Sequence, residues 1–429
     1  MPKPPPLSPT DGRGRPRVKR RLVRRRHTVV FTLLRPVFQA YLRLWYGYRA
    51  ERFRGEDRKH PCLILSNHDG PLDPFMLAVS FRRPIYFVAS DHIFRLGFVS
   101  RLIRWLVAPI PIVKSIVDTR TIRDILTTVR EGGTVGLFPS GNRSFAGREA
   151  PIPAATAKLV RHLRIPVVFY RFDRGYLATP RWARHARRGR VTGRVVRVLR
   201  PEEAVALSTE ELHRLMVETL HDDPYAGHEP LIRFRGRRLA EHLERVLFVC
   251  PSCFGFATLR SRGDRVDCGC GFAARSLADG RLVSAGIETR ADGTRLPAFS
   301  DVDALDRFQR EHLASVLGDP ARREAWRETP LFLDDGLRLV RVERARHARN
   351  GRTGTLRLYA GRLSFGDGED TLTFPVGQLG DVIVHGPQTL QFHDRRDDAV
   401  YEVRAPRPWA AYAYMLTIDL LRTPAMPRE

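Results

Sequence analysis

Lysine, cysteine and long apolar runs are all scarce in this sequence of 429 residues. Only five of its 73 basic residues are lysine, so arginine carries nearly all of the positive charge. Four of the five cysteines lie between Cys250 and Cys270. An odd, clustered set is atypical of an extracellular disulfide framework and favours a metal site in a reducing compartment. No uncharged run approaches the roughly 20 residues that a membrane-spanning helix needs.

The formal net charge of +26 predicts an anionic partner, either a nucleic acid or an acidic membrane surface. Half of this charge lies in residues 1–60. Residues 1–27 are rich in proline and then arginine, and we expect a disordered basic tail. A hydrophobic content of 43% across the whole chain is enough for at least one sizeable core, and the length suggests two to four domains.

Residues 28–50 combine a wide apolar face with a narrow polar stripe and a cluster of aromatic residues. Pro36 is expected to divide the segment into two short helices. An apolar face beside a basic tail is typical of helices that lie in the interface of an anionic membrane. The alternative is a core helix of the domain that follows. The first interpretation predicts a peripheral protein on the cytoplasmic face of the cell membrane.

Residues 51–225 alternate between strand-like and helix-like patterns, which predicts an α/β domain with a mixed sheet flanked by helices. Ser208 and Glu211 form a capping box that begins its last helix. The candidate strands are CLILS (62–66), IYFVA (85–89), VAPIPIV (107–113), TVGLF (134–138), PVVFYRF (166–172) and VVRVL (195–199).

A histidine and a carboxylate lie in the segment SNHDGPLDP (66–74), between the first strand and a helix. Asp73 is expected to be the N-cap of this helix, close enough to contact His68. The spacing alone has little value, because His393 and Asp398 repeat it in a charged turn. A histidine at a strand end is, however, where α/β folds usually place their chemistry.

Two further strand ends carry cations. The segment FPSGNRS (138–144) predicts a tight turn that presents the Arg143 guanidinium and backbone N–H groups, the donors that a phosphate monoester needs. Lys114 ends the strand PIPIV. Together with His68 and Asp73, these residues place a base, a carboxylate and two cations at the ends of successive strands.

The segments SNHDGPLDP, PIPIVK, FPSGNRS and IPVVFY, in that order, resemble the four motifs of the glycerolphosphate and lysophosphatidate acyltransferase family. The resemblance implies that His68 is the general base and Asp73 its orienting carboxylate. It also implies that Lys114, Gly141, Asn142 and Arg143 bind the acceptor's phosphate. The co-substrates would be a lysophospholipid acceptor and an acyl thioester, either acyl-CoA or acyl carrier protein. Ser140 stands where the family usually has glutamate, so the acceptor could be a different lipid.

A compact set of four cysteines follows a charged segment, near 229–244, that is expected to be helical. Cys250 and Cys253 are separated by two residues, and Cys268 and Cys270 by one. Paired thiols in tight turns predict a structural zinc ribbon within residues 226–275.

The C-terminal part is expected to contain a helical linker over residues 276–329 and a β-rich domain over residues 330–429. Seven short strand-like runs and a closing helix favour a small barrel or sandwich resembling the pleckstrin-homology type.

The alternative to an acyltransferase is a nucleic-acid-binding protein with a basic tail and a zinc ribbon. The basic clusters adjoin Trp45, Tyr48 and Trp182 in apolar surroundings, which favours a membrane. The ribbon's own sequence carries only three basic residues, Arg260, Arg262 and Arg265, which are too few for a sequence-specific DNA-binding module.

Overall fold

The computed structural model describes residues 21–51, 53, 55, 57, 60–90, 98–112, 119–226, 233–342 and 351–422. Most of the predicted basic tail lies outside these residues, as does Lys114.

The N-terminal part, to residue 226, is an α/β domain, as predicted. Its helices are α1 (Arg25–Tyr46), α2 (Asp73–Ser80), α3 (Phe98–Val107), α4 (Thr119–Arg130), α5 (Ala155–Leu163), α6 (Gly175–Ala178), α7 (Pro201–Ala206) and α8 (Thr209–Leu220). Its strands are β1 (Arg49–Ala50), β2 (Leu63–Ser66), β3 (Ile85–Ser90), β4 (Ile110–Ile112), β5 (Thr134–Leu137), β6 (Val167–Asp173) and β7 (Thr192–Leu199).

These strands form one sheet in the order β1-β7-β6-β2-β5-β3-β4. Every neighbouring pair is parallel except β6 and β7. All four residues of β2 are buried, because helices cover both faces of a parallel sheet. The carboxyl ends of β2 and β5 are adjacent, so the loops after them meet at one edge. The two motifs that follow these strands are therefore brought together.

Helix α1 is continuous through Pro36, so the expectation of two short helices is wrong. A proline removes one backbone hydrogen bond, and tertiary contacts on both sides of Pro36 hold this helix in place. Arg35 Nε donates a hydrogen bond to the Val79 carbonyl, 3.1 Å away, and Leu42 is fully buried. The helix ends at Gly47 in the left-handed conformation. Among the described residues, no helix is both long and apolar enough to cross a membrane.

The described residues of the segment before the cysteines do not form the α-helix that the charge pattern suggested. These residues, 233–244, contain instead a β-bridge between Arg235 and Arg188 and a 3-10 turn, Leu243–Arg245. Phe234 is fully buried, which anchors this segment against the first domain in an extended form.

The ribbon has four short antiparallel strands, β8 (Arg260–Arg262), β9 (Arg265–Asp267), β10 (Ala273–Ser276) and β11 (Leu282–Ser284). Its sheet therefore extends beyond residue 275, into the segment expected to be a helical linker. Two helices follow, α9 (Val302–Leu317) and α10 (Pro320–Glu328).

A second antiparallel sheet makes up the C-terminal domain, and all seven expected strands are present. The strands are β12 (Phe332–Val342), β13 (Arg352–Leu358), β14 (Arg362–Phe365), β15 (Leu372–Pro375), β16 (Leu379–His385), β17 (Thr389–Asp394) and β18 (Ala399–Arg404). Their order is β15-β14-β13-β12-β18-β17-β16, and helix α11 (Ala411–Arg422) packs against β16 and β17.

The ribbon and the C-terminal domain share one apolar core, and this core continues into the first domain. It includes Phe145, Ala146 and Trp182, which lie in loops of the first domain. The C-terminal half of the chain is thus packed against the loop that follows β5.

Candidate functional site

His68 and Asp73 are in direct contact in the loop after β2. The His68 Nδ1 atom lies 2.8 Å from Asp73 Oδ2, and the two side chains are 20% and 3% exposed. The His68 ring stacks on Phe138, with ring centroids 4.4 Å apart. A histidine whose Nδ1 donates to a carboxylate carries its lone pair on Nε2, the arrangement of a general base.

Asp73 is the first residue of α2 rather than its N-cap, which is Leu72. Its carboxylate turns back to the loop, where Oδ2 accepts hydrogen bonds from the backbone N–H of Asp69 at 2.7 Å and of Gly70 at 2.9 Å. A Cβ atom at position 70 would lie 2.4 Å from Thr179 Oγ1, so any larger residue there would displace the Thr179 side chain. One carboxylate oxygen therefore fixes both the loop and the histidine.

His393 and Asp398 form a similar contact in the β17–β18 hairpin, with Nε2 and Oδ1 2.8 Å apart. Here the Asp398 side chain is 82% exposed. The five-residue spacing thus gives a hydrogen bond at both places, and burial of the carboxylate distinguishes the first pair.

The loop after β5 contacts the histidine loop directly. Gly141 N donates to Phe138 O at 3.0 Å, and Gly141 has a φ of +66°, which favours glycine. Ser140 Oγ donates to the Asn142 carbonyl at 3.1 Å. Two residues later, Ser144 N donates to the His68 carbonyl at 3.3 Å. The structure thus brings His68, Asp73, Gly141, Asn142 and Arg143 together.

Arg143 supplies the site's positive charge. Its guanidinium makes no hydrogen bond or ion pair within the described part of the chain. Burial lowers the pKa of Arg143, and the nearby charge of Asp73 opposes this effect. A partly buried cation that no described side chain neutralises is costly, so this guanidinium is suited to bind an anionic group.

Two residues of the site were not anticipated, and both adjoin His68 in the sequence. Asn67 exchanges two hydrogen bonds of 2.8 Å with the backbone of Phe172, which fastens the loop to β6. Asp69 is buried, and burial followed by the charge of Asp73 raises its pKa well above the usual value. Ser144 Oγ lies 3.5 Å from Asp69 Oδ1, so Asp69 joins the two loops. The sequence could have indicated Asn67 and Asp69 only through their position next to His68.

Two of the aromatic residues expected at a membrane are interior. Trp182 is buried and donates from Nε1 to the Tyr176 hydroxyl at 2.8 Å. Tyr48 is also buried, and its hydroxyl lies 2.7 Å from that of Tyr170. Only Trp45 of the three is exposed.

The four cysteines converge at a second site. Their sulfur atoms all lie within 4.8 Å of one another. The Cys250–Cys270 and Cys253–Cys268 sulfur pairs are 3.6 and 3.8 Å apart. Tetrahedral bonds of about 2.3 Å to one Zn²⁺ place sulfur atoms about 3.8 Å apart, so these cysteines could hold a metal ion.

Residues 48–170 match the sequence model of the acyltransferase family, which confirms the resemblance that the four motifs indicated. Among solved structures, the 1-acyl-sn-glycerophosphate (LPA) acyltransferase PlsC from Thermotoga maritima matches with 18% identity and a TM-score of 0.40. That match covers 45% of this chain and 78% of that chain. The C-terminal domain of an unknown protein from Leishmania infantum matches with 13% identity and a TM-score of 0.17, covering 22% of this chain and 85% of that chain. Among curated proteins, none matches the sequence.

Proposed function

We propose that this O-acyltransferase, of the 1-acylglycerol-3-phosphate acyltransferase type, transfers a fatty acyl group from an acyl thioester to the free hydroxyl of a lysophosphatidate-like lysolipid. The observation that carries the proposal is the Arg143 guanidinium, which has no partner among the described residues and lies in the loop that contacts the His68 loop. A phosphate monoester bound there would place its lipid hydroxyl within reach of the base.

In the proposed reaction, His68 Nε2 removes the proton of the acceptor hydroxyl as its oxygen attacks the thioester carbonyl carbon. General base catalysis of this kind contributes about 10²- to 10⁴-fold. Asp73 stabilises the imidazolium that forms. The tetrahedral intermediate then collapses, the carbon–sulfur bond breaks, and the imidazolium returns its proton to the thiolate. The products are the diacyl lipid and a free thiol, and His68 is regenerated.

Arg143 acts on the phosphate, which does not react. Its charge-assisted hydrogen bonds should therefore stabilise the bound substrate and the transition state equally. Gly141 and Asn142 offer backbone groups in the same turn. Ser140, where the family usually has glutamate, lies in this turn as well, so it bears on which phosphate acceptor is accepted. Lys114 remains a sequence-based proposal for a second phosphate ligand.

The test is a panel of lysolipids, with and without a phosphate monoester, offered with acyl-CoA and with acyl carrier protein thioester. The panel also shows which thioester is the donor. We expect Arg143→Met to raise the KM for lysophosphatidate by at least about tenfold and to leave kcat nearly unchanged. Arg200→Met is the control, because Arg200 is an exposed arginine of the same domain that pairs locally with Glu203 at 3.3 Å. A wild-type enzyme that fails to acylate lysophosphatidate, or an Arg143→Met variant with the wild-type KM, would refute the proposal.

We further propose that α1 lies on an anionic membrane at the cytoplasmic face, as a peripheral contact. Five large apolar side chains on one stripe of α1 are each more than half exposed: Val29, Leu33, Val37, Leu44 and Trp45. Trp105 on α3 is also half exposed, and the Arg26 guanidinium lies 5.4 Å from its ring centre. Exposed apolar area of this kind is stabilised by insertion among lipid headgroups and acyl chains.

For the ribbon, we propose a structural Zn²⁺ bound by Cys250, Cys253, Cys268 and Cys270. Four thiolates would fill a tetrahedral coordination shell, so the metal would order the chain and take no part in the transfer.

The strand order of the C-terminal domain, with its closing helix, also supports the proposed pleckstrin-homology-like fold.

A further inference from the structure

Arg181 is a buried cation that connects the first domain to the C-terminal domain. It lies in the loop after α6 and is 4% exposed. Its Nη1 atom donates to the carbonyl of Arg143 at 3.0 Å. Its Nε atom donates to the Gly386 carbonyl at 2.6 Å, and Nη2 donates to the Val384 carbonyl. Both of these carbonyls belong to the end of β16 and the turn toward β17.

Phe145 and Tyr412 form a second connection beside the first. The Arg181 guanidinium lies 4.1 Å from the centre of the Phe145 ring, and Phe145 stacks on Tyr412 of α11 with centroids 4.2 Å apart. The Tyr412 hydroxyl donates to Asp306 Oδ2 on α9 at 3.1 Å. The loop that carries Arg143 is therefore held in part by Tyr412, from the C-terminal helix α11.

Within the described residues, no carboxylate pairs with Arg181. Burying an uncompensated cation is costly, and three carbonyl dipoles and one aromatic face offset that cost only with the guanidinium in one orientation. Burial, and then the charge of Arg143, lower the pKa of Arg181 well below its usual value. Two guanidiniums are thus held near each other in the interior, where a bound anion would relieve their repulsion.

We infer that Arg181 is a positioning residue for the acceptor's phosphate, and that the C-terminal β-domain completes the acceptor site by holding Arg181 through Val384 and Gly386. This inference rests on the proposed function. Arg181 fixes the backbone at Arg143, and the Arg143 side chain then meets the phosphate. The C-terminal domain reaches the site through the backbone of Arg143, so its effect should fall on acceptor binding.

Arg181→Met in the full-length protein tests this. We expect the KM for lysophosphatidate to rise by at least about tenfold, while the KM for the thioester donor and kcat change by less than about threefold. Arg181→Lys keeps the charge but cannot reach three carbonyls, so it should show most of the same rise. Arg184→Met is the matched control, because Arg184 lies three residues later, is exposed and pairs with Glu241 at 2.7 Å. It should have wild-type constants.

A purely structural role for Arg181 would lower the soluble yield or kcat and leave the acceptor KM unchanged, and that result would overturn the inference. If Arg181→Met does not fold, Tyr412→Leu removes the stacking contact from the C-terminal side. It should raise the acceptor KM by about threefold or more, and a wild-type value would again overturn the inference. A wild-type enzyme that does not acylate lysophosphatidate refutes the proposed function itself, and the inference falls with it. Activity that depends on Arg143 but not on Arg181 refutes the inference alone.

Discussion

Replacing Asp73 with asparagine would remove the negative charge of this side chain and keep its hydrogen bonds, so the two contributions can be measured separately. Asp73 Oδ2 alone accepts from His68 Nδ1, Asp69 N and Gly70 N. The amide oxygen of an asparagine can take the same position and keep all three contacts. Asp73→Asn therefore leaves the loop in place and removes the negative charge that stabilises the imidazolium during the reaction.

The size of the effect follows from electrostatics. Two unit charges about 4 Å apart interact by about 4 kcal/mol at an effective dielectric constant of about 20. That energy corresponds to about a thousandfold in rate. The His68 side chain is 20% exposed, so solvent screens part of the interaction. We expect kcat to fall by about 10²- to 10³-fold.

The assay is steady-state acyl transfer combined with thermal unfolding. Asp73→Asn should unfold close to the wild-type temperature. Asp73→Ala should also lose stability, because three buried donors lose their acceptor at a cost of about 1–3 kcal/mol each. Asp398→Asn is the matched control, since Asp398 has the same spacing from His393, and it should retain full activity. The reasoning is refuted if Asp73→Asn keeps kcat within about threefold of the wild type, or if Asp398→Asn is equally impaired.

Three further predictions concern the metal, pH and the membrane. Purified protein should contain about one equivalent of zinc, and Cys253→Ser should lower both zinc content and unfolding temperature, whereas Cys62→Ser should change neither. Burial raises the pKa of Asp222 from 3.8 to about 7. The stability that Asp222 contributes is therefore present below about pH 4 and lost as pH rises through about 7. Asp222→Asn should reduce the fall in unfolding free energy between about pH 5 and pH 8, as measured by denaturant titration. Val37→Asp should weaken the flotation of the protein with anionic liposomes relative to the wild type, whereas Val217→Asp on α8 should not. Equal flotation of the wild type and both variants would contradict the proposed membrane contact.

The sheet strands and the two motif loops of the first domain could be predicted because they depend on local patterns. Apolar runs such as Leu63–Ser66 form strands, and glycine and proline after them form turns. Parallel pairing then brings the carboxyl ends of β2 and β5 to one edge, so His68 and Arg143 become neighbours. Paired cysteines in tight turns predicted the sulfur cluster for the same reason.

Local patterns were misleading where tertiary contacts outweighed them. Pro36 weakens a helix by removing one hydrogen bond, but contacts on either side of it keep α1 intact. The described residues of the charged segment before the ribbon, 233–244, form no α-helix, and Phe234 is buried there. Trp182 adjoins several arginines in sequence, yet it lies inside the protein with the Arg187 guanidinium 5.3 Å from its ring centre.

Arg181 shows most clearly what could not be predicted from the sequence. In sequence it is one arginine among several in a loop, and its partners Val384 and Gly386 come more than 200 residues later. Neither composition nor periodicity distinguishes it from the exposed Arg184, because its environment is created only when the C-terminal domain packs on the loop after β5. The proposed catalytic pair is therefore encoded within one short segment, whereas the proposed binding of the acceptor's phosphate depends on the fold of the whole chain. Substitutions in the C-terminal domain should accordingly alter acceptor binding before they alter the chemical step.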